Sequence, residues 1–228
     1  MSEKAATREF GTGPLSRVSA LVYALLATEG LFLLTTVPGL VPLLRLDRDA
    51  SNLPLAALCL VPTGPAASAV LFALHRRQLD LADLHPAATF WRGYRLNAAG
   101  ALKVFVPWLA VLTMVAMTLA HRHDAKLPGW WLALLVVIAV AATLWLLNAL
   151  VITSLFAFRT MDIARLATYF LGRTPLVTLG NAGVLLAAAL ITAYGTEALT
   201  LLLVSALGLL LLNSSQKMIE QVRRDFTA

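Results

Sequence analysis

Glu29 is the residue whose type and setting most invite chemistry, because it stands near the centre of an otherwise apolar stretch, Val18–Thr36. An ionisable group inside hydrocarbon costs at least about 2.5–3.5 kcal/mol on insertion scales, so it is by default a candidate proton, cation or ligand site. The plainer alternative is a neutral carboxyl hydrogen-bonded to a polar group on another helix. A second candidate is Pro62-Thr63-Gly64-Pro65, in the middle of the apolar stretch Leu53–Leu74. Prolines there strip backbone donors and open the helix, which lipid tolerates only where protein or water covers the freed groups. Such a broken helix forms the binding site of some transporters, and Thr63 and Gly64 would then line it. It serves equally as a packing kink, with Gly64 and Ser68 allowing close helix approach. Asn97, Asn148 and Asn181 stand in or beside apolar stretches and can bridge helices, Asn148 being a binding candidate beside Glu29.

Other patterns fail as chemistry. His121-Arg122-His123-Asp124 has no further Cys, His or carboxylate at ligand spacing, so no metal is expected. The single cysteine, Cys59, excludes an intramolecular disulfide and a Cys-based cluster, and reads as a small buried hydrophobe. Gly11-Thr12-Gly13 neither follows a strand nor opens a βαβ unit, and no Walker lysine or G-x-S-x-G elbow occurs. The expectation is a protein that is not an enzyme and carries no cofactor.

The elements that must hold these residues follow from composition. Of 228 residues 59% are apolar and only 13% charged, and mean hydropathy is +0.79. One small domain cannot hide that much apolar surface from water, so the expected fold class is all-α, a polytopic helical bundle in a membrane. The net charge of +6 does not point to nucleic acid, because the basic residues punctuate the apolar runs instead of forming one patch. Six stretches reach the length of a crossing: Val18–Thr36, Leu53–Leu74, Ala98–Ala120, Trp130–Phe158, Leu176–Tyr194 and Glu197–Leu212. Between them fourteen of the eighteen Lys and Arg residues fall on one side, so the positive-inside rule predicts six transmembrane helices with both termini cytoplasmic. Residues 1–17 are then a cytoplasmic tail, 18–212 the membrane domain and 213–228 a second cytoplasmic tail. Lys103 can snorkel to the headgroups, and Trp130 with Trp131 suits an outer aromatic belt. Pro38 and Pro42 are expected to turn the chain along the outer interface after the first span.

The two longer cytoplasmic connections resemble each other. Leu71-Phe72-Ala73-Leu74, Asp80-Leu81-Ala82-Asp83-Leu84, Phe90 and Gly93 are echoed by Leu155-Phe156-Ala157-Phe158, Asp162-Ile163-Ala164-Arg165-Leu166, Phe170 and Gly172, as in a repeated hairpin unit. Each predicts a short amphipathic cytoplasmic helix. One starts at Pro86 with Ala87, Phe90, Trp91 and Tyr94 on its apolar stripe; the other runs from N-cap Asp162 to Gly172 along Ile163, Leu166, Ala167, Phe170 and Leu171. Such helices lie in the headgroup plane of the bilayer, or dock a partner through Phe90, Trp91, Tyr94 and Arg95.

Phe10-Gly11-Thr12-Gly13-Pro14-Leu15, Leu60-Val61-Pro62-Thr63-Gly64-Pro65-Ala66 leading to Arg76-Arg77, and Phe90-Trp91-Arg92-Gly93-Tyr94-Arg95-Leu96-Asn97 together resemble the YesL family of bacterial integral membrane proteins. The chain departs from that pattern at Glu29-Gly30, where an Asn is common in the family. The resemblance implies an all-helical membrane fold and an accessory role beside carbohydrate importers of the ATP-binding-cassette type; it implies no catalytic or ligand residue. The leading expectation is a non-enzymatic accessory or scaffold for sugar uptake, with the bilayer and importer subunits as partners. The alternative is a small secondary transporter or channel, alone or as a homo-oligomer, built on the broken second helix and Glu29.

Overall fold

A computed structural model describes residues 14–47, 49–77, 85–122 and 128–226. Among them there are helices and no strand. In chain order these are α1 (Pro14–Arg45), a 3-10 turn (Ala50–Asn52), α2 (Leu53–Leu60), α3 (Thr63–His75), α4 (Pro86–Ala120), α5 (Gly129–Leu155), α6 (Thr160–Arg173), α7 (Pro175–Tyr194), α8 (Glu197–Leu201), α9 (Val204–Ser214) and α10 (Gln216–Phe226). Four of them, α1, α4, α5 and α7, are long and apolar enough to cross a membrane, and the α2–α3 pair, bent by 40°, makes a fifth if taken as one span. The architecture is therefore an all-helical bundle compatible with a multi-pass membrane protein. The apolar stretch expected as a sixth span is split into α8 and the 11-residue α9.

α1 departs from expectation, because its helix runs on through Pro38 and Pro42 to Arg45 instead of turning along an interface. Each proline deletes a ladder donor, at a cost of about 3 kcal/mol in a helix interior. Both rings lie on the exposed face, while Gly39 between them packs against the backbone of α2: a Cβ there would overlap the Cys59 carbonyl. That close contact needs the helix to continue, and it offsets the two missing donors. Cys59 itself is half-buried.

α4 holds a second correction. The amphipathic stretch from Pro86 is not a separate helix but the first three turns of a 35-residue rod that continues as the third span. Between Pro86 at N1 and Asn97 the one weak point is Gly93, which is packed against Phe72, so the helix propagates through it. At about 1.5 Å per residue the rod is roughly 52 Å long, well beyond a hydrocarbon slab of about 30 Å.

α6 does stand alone, with Ile163, Leu166, Ala167 and Phe170 buried. Its N-cap is Arg159, which leaves Asp162 inside the first turn, and it passes Gly172 to end at Arg173 because Pro175 opens α7. The apolar stripe faces α5 and α7 of the bundle, not a lipid plane. The proposed repeat does not hold as local structure where it is described: residues 71–74 are helical while Phe156 to Phe158 have left the helix. Asp80–Leu84 lie outside the described residues, as do His123, Asp124 and the first 13 residues.

The segment expected as a C-terminal tail forms α10, which buries Met218, Ile219 and Val222 and turns Lys217, Glu220, Arg223 and Arg224 outward. α6, α10, the end of α3 and the start of α4 close one end of the bundle around Leu74, Phe90 and Phe170, all at most 1% exposed. Their outer faces are charged, and burying each large apolar side chain from water is worth about 1.5–3 kcal/mol. The middle of the bundle also holds small residues and polar bridges, the groups that associate helices where that drive is lacking.

Candidate functional site

Glu29 lies midway along the 32 residues of α1 and is 7% exposed. Its neighbour Thr28, also buried, donates to Ala24 O one turn back at 2.6 Å. The carboxylate reaches a partner 176 residues away: Oε2 accepts the backbone N–H of Ser205 at 2.7 Å. Ser205 is the second residue of α9. Leu201-Leu202-Leu203-Val204 contains neither Pro nor Gly, yet the helix breaks there, with Leu202 N on Ala198 O at 3.0 Å and Leu203 N on Thr200 O at 3.2 Å. In an unbroken helix the Ser205 N–H would bond to Leu201 O. It goes to Glu29 instead, so a carboxylate from α1 caps the amino end of α9, where orphan N–H groups and the helix dipole favour negative charge. The other oxygen, Oε1, is buried with no hydrogen-bond partner among the described residues.

The structure does not bring the other sequence candidates to Glu29. Thr63 donates to Leu60 O at 2.6 Å, satisfying a carbonyl at the bend. Gly64 is buried against α4, where a Cβ would stand 2.5 Å from the Phe105 ring. The Phe105 ring thus packs into the space that Gly64 leaves at the Pro62–Pro65 break.

Asn148 belongs to a separate polar node. Its Oδ1 accepts from Asn181 Nδ2 at 2.9 Å, and its own Nδ2 points to Ala167 O at 3.5 Å. Asn181 Oδ1 accepts from Ser214 Oγ at 2.6 Å and Ser215 Oγ at 3.3 Å. The node ties α5, α6, α7 and α9, and it closes only because Gly180 has no side chain: a Cβ there would sit 2.8 Å from Ser214 Cβ. A second bridge joins α3, α4 and α5, with Ser68 Oγ 2.9 Å from Ser154 Oγ and Asn97 Nδ2 donating to Ser154 O at 3.1 Å at the end of α5.

The docking candidates split. Phe90 is fully buried, and Gly93 packs so tightly on Phe72 that a Cβ would fall 2.6 Å from its ring. Tyr94 is half-buried, stacked on Phe90 with centroids 6.3 Å apart. Trp91 (39% exposed), Arg92, Arg95 and Leu96 face outward around a shallow depression that also includes Ala88.

Sequence reasoning missed Ser205, because the contact uses a backbone N–H that any residue but proline supplies. It also missed the apolar stripe of α10, although Met218, Ile219, Val222 and Phe226 follow a helical period. In comparison with known proteins, the chain matches no family model, no curated protein and no solved structure.

Proposed function

We propose that the chain is a YesL-like, non-enzymatic accessory protein of a bacterial plasma membrane that assists a carbohydrate importer of the ATP-binding-cassette type. In this reading α8 and α9 together make the sixth crossing, roughly 27 Å at 1.5 Å per residue, and the basic end of the bundle, with both termini, faces the cytoplasm. The fourteen-to-four distribution of Lys and Arg supports that orientation.

The observation that carries the reading is the outward face of the α4 extension. Phe90 and Gly93 lock the rod onto α3 from beneath, so Trp91, Arg92, Arg95 and Leu96 are held as a rigid aromatic and basic face. Aromatic and Arg side chains on a pre-organised element are the usual anchors of a protein interface. Trp91→Ala with Arg95→Ala removes two exposed side chains while keeping Phe90 and Gly93 in place, and is expected to abolish copurification of importer subunits from detergent; unchanged yield removes the reading. Reporter fusions to the last residue check the orientation: periplasmic activity alone would reverse it.

A further inference from the structure

We propose that Glu29 and the amino end of α9 form a binding site for a small monovalent cation, a proton or a sodium ion, taken up on the Oε1 side of the carboxylate. One oxygen is already committed to Ser205 N–H, while the other is enclosed without a partner among the described residues, in a side chain that is only 7% exposed. The half-helix offsets about half a unit of negative charge, which leaves a carboxylate incompletely balanced in a low-dielectric interior.

The elements packed against α1 do not supply the rest. α9 carries no titratable side chain, α2 has Cys59, and α3 has only His75 at its far end. On α4, Lys103 and Arg95 are exposed, and Arg92 and Tyr94 belong to the projecting first turns. On α1 itself Tyr23 is exposed, and Arg17 and Arg45 lie roughly 18 and 24 Å away along the axis. Glu197 of α8 is exposed. A cation small enough to sit on one carboxylate oxygen completes the balance, whereas an anion would meet the carboxylate itself.

The same contact explains why the last apolar stretch breaks at four residues that include no breaker, since the N–H that would close the helix is held by Glu29. The site is independent of the α4 docking face, and its test reads a different signal. Infrared difference spectra of the full-length protein in lipid nanodiscs are recorded in two arms: a pH titration in choline chloride, and a sodium-for-choline titration at fixed pH. The expected result is a protonated-carboxyl C=O band that grows as pH falls and is missing from Glu29→Gln. Loss of that band on adding sodium identifies sodium as a competing occupant, and indifference to sodium identifies the proton alone. Superimposable wild-type and Glu29→Gln spectra in both arms would overturn the proposal. Ser205→Pro provides a second reading that keeps Glu29, because proline is tolerated in a first helical turn and removes the N–H donor, with Ser205→Ala as the control for loss of the hydroxyl. It is expected to make proton binding about tenfold tighter, the equivalent of one charge-assisted hydrogen bond; an unmoved midpoint would overturn the role of α9.

Discussion

Glu29 and Asn181 are both buried polar side chains in helices long enough to cross a membrane, but their surroundings treat them differently. Asn181 has both polar side-chain atoms engaged: its amide donates to Asn148 while its carbonyl oxygen takes two serine hydroxyls, and four helices meet there. Glu29 shares one oxygen with one backbone N–H and keeps the other without a partner. A node in which every group is paired has nothing left for a ligand and acts as structure. A site left half-paired at the same depth retains binding capacity. The difference separates glue from a candidate site more sharply than residue type does, since Asn and Glu both carry a cost in oil.

Substitutions should widen or erase that contrast. The largest effect is expected at Gly180→Val, which pushes α7 off Ser214 and opens the node, at about 3 kcal/mol of lost stability. Unfolding in detergent followed by helical circular dichroism measures it, and a loss below about 1 kcal/mol would show that the node can close without the close approach. Asn181→Ala leaves Asn148, Ser214 and Ser215 without their shared partner and should cost about 2 kcal/mol in the same assay. Glu29→Gln retains an acceptor for Ser205 N–H, so its cost should stay under about 1 kcal/mol. A larger loss would place Glu29 with the structural node and remove the contrast.

The smallest effect belongs to the exposed turn before α2. The Ser51 hydroxyl and then the Ala50 N–H, bonded to Asp49, hold its carboxyl below the usual carboxylate range. A depressed value means that the cap's contribution is present above the ordinary range and fades as pH falls through the depressed one. The protection factor of the Ala50 amide, its exchange rate corrected for the intrinsic pH dependence, should therefore fall only in strong acid. A protection factor that already falls near neutral pH would show that the cap does not hold the turn.

Much of the scaffold was legible in the sequence for a simple reason: hydrophobic run length and the 3.6 period are local. The apolar runs locate α4, α5 and α7, and the spacing of Ile163, Leu166, Ala167 and Phe170 fixes the buried side of α6. Pro62-Thr63-Gly64-Pro65 marks a bend because both its punctuation and its small residue act where they stand. What escaped was non-local. The continuation of α1 through Pro38 and Pro42 depends on Gly39 meeting the Cys59 carbonyl. The break between α8 and α9 depends on a carboxylate in the first helix. Glu29 could be picked out by its cost, but its partner is a main-chain group and leaves no mark among side chains.

α10 carries a consequence for anything that frees it. Its Met218, Ile219 and Val222 roof the cluster around Leu74, Phe90 and Phe170, so lifting residues 216–226 away bares that greasy floor, and a protease offered the opened form would cut where the closed one resists.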